Sequence, residues 1–208
     1  MEIQFHGANC VSIGNKQVRI IADDRLASLG QKPVAKAGDI LLYTADHEPV
    51  AVEPKLLVDA PGEYEVSNIS IYGIQARAHM DEAQQKNATM YKLILDDLRI
   101  LITGHIYPEL NERQLEDIGT IDIVIIPVGG NGYTLDSVGA LKVIKEIEPK
   151  IVIPTHYAEK GLAYEVPQAG LADALKGLGM EAGEPVDSLK LKGLDLDDVT
   201  KVIALKRS

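Results

Sequence analysis

Four of the five histidines in this 208-residue chain stand where an apolar run gives out. His47 follows "DILLYTAD", His79 follows "ISIYGIQARA", His105 follows "RILITG" and His156 follows "KIVIPT". Imidazole binds zinc and similar metals, and it exchanges protons near neutral pH. The ends of sheet strands are where such groups gather, because a rigid sheet positions loops that solvent and ligands can reach. A lone histidine at a strand end is more often a surface or packing residue. The chemistry therefore depends on whether the strands bring all four to one edge. His6, the fifth, follows the short run "EIQF" and reads as structural. Carboxylates accompany the others: Asp46 beside His47, Asp81 two residues after His79, Glu109 four after His105, and Asp136 at the start of the helix before His156. Carboxylates orient imidazoles or ligate metals directly. The bland role for each is a turn or cap residue, and for Asp136 a helix N-terminus is favoured.

The elements that must position these residues change character along the chain. The first half reads as strands: "EIQF", "CVSI", "QVRIIA", "DILLYT", "KLLVDA", "EYEV", "ISIYGIQA", "MYKLIL" and "RILIT" are short and rich in apolar or β-branched residues. Gly14-Asn15, Ala37-Gly38-Asp39, Pro61-Gly62 and Asp96-Asp97 punctuate them. "MYKLILDDLRILIT" predicts a hairpin around the Asp-Asp pair. In the second half, "NERQLEDIG" predicts a short helix capped by Asn111, and "TLDSVGALKVIKEIEP" an amphipathic one that starts near Thr134 or Asp136. "IDIVIIPV" and "KIVIPTHY" are continuous apolar runs, as expected of strands covered on both faces. "PQAGLADALKGLG" predicts a further helix, opened by Pro167 and closed by Gly179. "SLKLKGL" and "KVIALK" read as terminal strands. Hairpins followed by β-α-β-α order suggest two packed sheet halves with helices outside, in one domain over 1–208.

Composition narrows the function classes. A net charge of −10 disfavours phosphate backbones and anionic lipid, so nucleic acid and membrane surfaces are not expected partners. The single cysteine, Cys10, permits no intrachain disulfide and lies in an apolar run, which reads as a buried thiol. With no signal-like start and no membrane-length apolar run, a cytoplasmic location is expected. No G-x-S-x-G is present, and "PVGGNGYT" lacks the Lys-Ser/Thr of a P-loop, so it reads as a tight loop needing positive φ.

Five segments, in order, resemble the metallo-β-lactamase superfamily, and in particular its branch similar to L-ascorbate-6-phosphate lactonase. They are "FHGANCVSI", "DILLYTADHEPV", "PGEYEV" with "ISIYGIQARAHMDE", "RILITGHIYPELNERQLEDIGTIDIVIIPVGGNGYTLD", and "PKIVIPTHY". The resemblance implies an α/β fold, an αββα sandwich of two mixed β-sheets with helices outside. In standard members two metals sit at one strand edge. Laid on the family's Thr-His-x-His-x-Asp-His motif, Thr44 keeps its place, but Ala45 replaces the first His, Pro49 the Asp and Val50 the third His. The second His is His47. His79 matches the ligand of the middle segment and His156 the final one. The bridging Asp, which follows a Gly, is replaced by His105 after Gly104.

The second metal would keep His156 alone, so the two-metal clamp on attacking and leaving oxygens is not expected. His47, His79 and His105 could still form a three-His face, with a fourth position for water or His156, which suits one zinc ion at most. A metal so held lowers the pKa of bound water and opens hydrolysis of a small ester, lactone or phosphoester, with Glu63, Asp81 or Glu109 as acid or base. Two alternatives stand beside this metal-dependent hydrolase. One is a non-catalytic binding module on the same fold, with a structural metal or none. The other is an enzyme in which uncoordinated His79, His105 and His156 do general acid–base work. Arg77 and Lys86 flank the His79 segment and could meet an anionic group, although solvated surface charge is the commoner role. The substrate and the oligomeric state are not legible.

Overall fold

The computed structural model describes residues 1–81, 87–191, 196–197 and 199–208. The apolar runs form two mixed sheets. In the first, β1 (Glu2–Gly7), β2 (Cys10–Gly14) and β3 (Arg19–Ala22) are antiparallel, and β4 (Ile40–Leu42) and β5 (Leu56–Val58) continue parallel to β3. In the second, β6 (Gly62–Val66), β7 (Ile69–Arg77), β8 (Asn87–Leu95) and β9 (Leu98–Ile102) are antiparallel. Two further strands, β10 (Ile123–Pro127) and β11 (Ile151–Thr155), run parallel to β9. The terminal pieces β12 (Leu189–Lys190) and β13 (Lys201–Val202) close the first and second sheets respectively. The β8–β9 hairpin turns on Asp96 and Asp97, both at positive φ (52° and 62°), the backbone of a type I′ turn.

The helices α1 (Glu112–Ile118) and α2 (Ser137–Ile147) pack on β7 and β10 of the second sheet, and α3 (Leu171–Leu178) packs on α2. Asn111 caps α1 in a capping box with Gln114, and Asp136 caps α2 by accepting from the Gly139 N–H. Helix α3 differs from the sequence expectation at its start. Gly170, not Pro167, is its N-cap, because Pro167 lies in a loop whose Ala169 N–H already bonds the Gly129 carbonyl. The outer face of the first sheet is covered by one 3-10 turn, Leu26–Leu29, and by loops. There Cys10, Ile21, Leu41 and Tyr43 pack with Leu26, Val34 and Val50, on the opposite face from the core residues Val11, Ile20 and Leu42.

Between the sheets lies an apolar core that draws on both, including Phe5, Ile13, Ile40, Ile71, Leu93 and Ile125. Hydrogen bonds stitch the two sheets along one edge. The Thr89 N–H donates to the Thr44 carbonyl, Tyr91 Oη to the Tyr43 carbonyl, and the His156 N–H to the Ala8 carbonyl. The parallel strands β3, β4, β9, β10 and β11 all deliver their C-terminal ends to this edge. No helix among the described residues is long and apolar enough to cross a membrane.

The sheets also approach closely at Gly104, just after β9. Its φ is +62°, and a Cβ there would lie 2.3 Å from Thr44 Oγ1. Gly104→Ala should therefore combine a left-handed backbone penalty with overpacking, a loss of about 2–4 kcal/mol. Gly38 also has positive φ, but open space surrounds it. Gly38→Ala should cost only the backbone term, about 1–2 kcal/mol. Urea unfolding of both variants checks the ordering; equal losses would show that Thr44 yields freely.

Candidate functional site

Each loop at the shared edge begins where a buried strand can no longer pair. After β3 the chain turns through Asp23, at φ +48°, into Asp24 and Arg25. After β4 it gives Tyr43, Thr44 and His47, after β9 Gly104 and His105, after β10 the Gly-rich loop to Tyr133, and after β11 His156, itself at φ +51°. The Gly-rich loop takes the expected positive φ at Gly130, Asn131 and Gly132. Gly129 is obligatory in another way: a Cβ on it would lie 2.0 Å from the His156 carbonyl oxygen.

These loops enclose a cavity of about 400 Å³. His47, His105 and His156 line it, together with Tyr43, Tyr133 and Tyr164. The rings of His105 and His156 meet edge-to-face with centroids 4.7 Å apart, and Tyr133 stacks on His156 at 5.5 Å. His156 Nδ1 lies 3.2 Å from Gln168 Oε1. His79 stands just behind: its N–H donates to the His105 carbonyl at 2.8 Å, in the short antiparallel bridge of Ala78 with Ile106. Nδ1 of His79 and Nδ1 of His105 are both buried without a partner.

Electrostatics keep these imidazoles neutral. Burial pushes His105 well below the ordinary histidine range, and the neighbouring His156, Arg25 and His79 add to the shift. Burial likewise brings His156 down to about 4, against the opposing bond with Gln168. His79 is lowered by burial as well. Asp23 is raised by burial, although Thr44 donates to it from both its N–H (2.8 Å) and its Oγ1 (2.7 Å).

The structure thus brings the rings of His105 and His156 together, ties His79 to His105 through the backbone behind the cavity, and turns the His47 ring, on the cavity wall, toward other partners. The His47 ring is stacked flat on Tyr43, with centroids 3.8 Å apart and planes at 14°. Its Nδ1 is 2.7 Å from the Glu48 carbonyl and its Nε2 is 3.4 Å from Asp59 Oδ2, so both nitrogens already face oxygen acceptors. The expected face of His47, His79 and His105 is therefore not assembled around one point. Among the described residues no group of three or more His, Cys, Asp or Glu is placed to hold a metal ion. Pro49 and Val50 line the cavity where the motif of the resembled family would supply ligands. As placed, the described residues assemble neither a two-metal centre nor a three-ligand zinc site.

The expected acid–base carboxylates stand elsewhere. Asp81 is buried and paired with Arg77 (3.3 Å), whose guanidinium also lies 3.9 Å over the Tyr107 ring. Glu109 meets Lys142 at 3.5 Å near the surface. Glu63 is an exposed residue of the edge strand β6. None of the three lines the cavity, because their strand or loop ends open onto other faces. Lys86 lies outside the described residues. His6 is buried between Ser12 Oγ (2.8 Å) and Ser208 Oγ (2.7 Å), and Cys10 is buried, its thiol pushed up by burial. Sequence reasoning passed over Asn9, Arg25, Tyr43, Tyr133 and Tyr164. The run "IIADDR" carried a usable signal, an apolar strand ending in charge as each histidine segment does.

Comparison with known proteins settles the kinship. Residues 2–156 match the model of the beta-lactamase superfamily domain. The chain belongs to this family. Among curated relatives it is 44% identical over 45 residues to a UPF0173 metal-dependent hydrolase of Carboxydothermus hydrogenoformans, 22% of this chain and 20% of that one. That match and the 87-residue one to Archaeoglobus fulgidus span well under half of those relatives. A longer match, 25% over 195 residues, covers 76% of this chain and 85% of a UPF0173 metal-dependent hydrolase of Lysinibacillus sphaericus. A Thermotoga maritima member of the metallo-β-lactamase superfamily, assigned as a Zn-dependent hydrolase, superposes with a TM-score of 0.76. It is 22% identical and matches over 98% of this chain and 97% of that one. An isothiocyanate hydrolase from Delia radicum gut bacteria gives 0.64 at 11% identity, over 100% and 97%. These superpositions share the fold: two mixed β-sheets of the metallo-β-lactamase type.

The depressed histidines make stability depend on pH. A histidine lowered in the folded state binds its proton in the unfolded state first, so stability is complete above about pH 6.5 and is lost as pH falls toward the folded value. For His156, at about 4, the loss between pH 6.5 and 4 should reach about 3 kcal/mol. Asp23 and Glu159, both raised, act in the opposite sense as pH falls. Comparing wild type with His156→Asn, which tolerates the left-handed backbone, isolates the histidine. Urea midpoints of chelator-treated protein should converge as pH drops from 7 to 4.5; a constant gap would contradict a buried neutral His156.

Proposed function

We propose that this chain holds a small ester, lactone or phosphoester in the strand-edge cavity without a two-metal centre, as a binding protein built on a hydrolase scaffold. The observation that carries this reading is the absence, among the described residues, of any three-residue metal-binding group around His105. His105 stands where the resembled family places its bridging carboxylate. Acid–base catalysis by uncoordinated imidazoles is also disfavoured. A group with a pKa of about 4, such as His156, is a weak base at neutral pH, and general bases work best near the operating pH. What remains is a cavity of the size that takes small organic molecules, lined by aromatic rings, imidazoles and a few charged groups, Arg25 and Asp24 among them. The net charge of −10 supports a small molecule over nucleic acid or an anionic membrane, and the lone buried cysteine suits a cytoplasmic setting.

A second reading is a metal-dependent hydrolase with one zinc ion at most. Two observations favour it: the buried, unpartnered Nδ1 atoms of neighbouring His79 and His105, and the metal-dependent hydrolases among the relatives. His79, His105 and His156 would then be the ligands, after a local rearrangement.

Metal analysis of untagged protein, with a hydrolysis screen over esters, lactones and phosphoesters, separates the readings. The binding reading expects less than one tightly held ion per chain, no zinc-dependent turnover, and a 1:1 complex with a member of the screen. One zinc per chain that disappears in His105→Ala together with turnover would establish the second reading. Two tightly bound ions would refute both.

A further inference from the structure

Buried polar atoms without partners are rare in folded proteins, and each calls for a group to satisfy it. Three residues that carry such atoms line this one cavity: Asn9 through Nδ2, Asp24 through Oδ1 and His105 through Nδ1. Asn9 sits between β1 and β2 and is 6% exposed. Its Oδ1 accepts from Thr155 Oγ1 at 3.0 Å, which leaves the amide N–H₂ as its free end. An unpartnered donor on a residue that lines the cavity asks for an oxygen acceptor on the ligand.

Arg25 supplies the charge. It lies on the same cavity, is solvent exposed, and among the described residues its guanidinium has no ion pair. The carboxylates around it are less free. Asp23 is held by Thr44, and Asp24 Oδ2 accepts from the N–H groups of Val34 and Ala35, both at 2.7 Å. Glu48 and Glu165 also line the cavity but are exposed, so water and salt screen them. Asp24 Oδ1 remains able to accept from a hydroxyl of the same ligand.

Taking the cavity as the ligand site argued above, we propose that Asn9 and Arg25 receive an anionic oxygen of a small organic acid, a carboxylate or a phosphate monoester, whose apolar body lies against Tyr43, Pro33 and Val50. An N–H donor bonded to a charged oxygen is among the stronger hydrogen bonds, so loss of either group should weaken binding by about tenfold or more.

Calorimetric titration of the full chain with mandelate, phenyl phosphate and neutral benzyl alcohol tests this. At least one anion should bind about tenfold more tightly than benzyl alcohol, and the tighter of the two identifies the source of the oxygen. Asn9→Asp retains the acceptor for Thr155 and removes the donor. It should weaken the anion about tenfold or more and benzyl alcohol, whose bond is to a neutral oxygen, distinctly less, and so should Arg25→Gln. Should Asn9→Asp lower the unfolding midpoint too far to assay, the exposed Arg25→Gln carries the test. Equal binding of all three probes, or anion affinity unchanged in the folded variants, overturns this inference and leaves the cavity reading in place. No binding of any probe overturns both.

Discussion

The edge of this molecule depends on one buried carboxylate. Asp23 ends β3 and accepts from both the N–H and the Oγ1 of Thr44, which ends β4. Burial raises its pKa, and Thr44's two bonds offset part of that cost. Across the sandwich, Gly104 packs its bare Cα against the same threonine, and the Thr44 carbonyl accepts from Thr89 of β8. One small residue thus joins the C-terminal ends of two strands in one sheet to the second sheet. His105, one residue past the contact, has little freedom of its own. Any larger residue at 104, or a thinner one at 44, would change the height at which the His105 ring enters the cavity.

That constraint bears on the chemistry. A carboxylate at position 105 would bring charge that only cations can neutralise so deep in the fold. An imidazole needs no such compensation: it enters neutral, and desolvation then keeps it so. Once His105 is neutral, His156 can approach it edge-to-face, and Tyr133 can stack on His156. Aromatic and imidazole rings thus pack together along the cavity. Pro49 and Val50 add apolar groups to the wall of the same cavity. His47 is free to leave the group and lie on Tyr43, where Asp59 and the Glu48 carbonyl take its nitrogens.

Local signals were well preserved in the sequence. The nine strand runs of the first half, the Asp96-Asp97 turn and the Asn111 cap are each decided within a few residues, by branching, positive φ or a short side-chain bond. The resemblance supplied the order of the sheets, which no local pattern contains. The site was half legible. That histidines would come to a strand edge followed from where the runs end; the rings of His105 and His156 touch there, and His79 joins them only through its backbone bond to His105. That His47 would not, and that Asp81, Glu109 and Glu63 would face elsewhere, depends on stacking and ion pairs between loops remote in sequence, such as His47 with Asp59 and Glu109 with Lys142. Helix α3 starts later than its proline suggested for a similar reason, because the loop before it is held by Gly129.

The residues that sequence reading passed over share a physical origin. Asn9 lies in the tight link between β1 and β2, and Arg25 lies at the start of a 3-10 turn. In a linear reading both are turn residues. Asn9 becomes a cavity residue because β11 runs against that first link, through the His156 N–H to the Ala8 carbonyl and Thr155 Oγ1 to Asn9 Oδ1; Arg25 reaches the cavity from the loop after β3. Those two bonds fix the position of Asn9 by the same strand end that fixes His156. The donor and the neutral imidazole therefore share one rigid support. Rigid placement of this kind keeps the loss of freedom on binding small. The strand edge thus holds polar groups at fixed positions around the cavity, whatever ligand enters it.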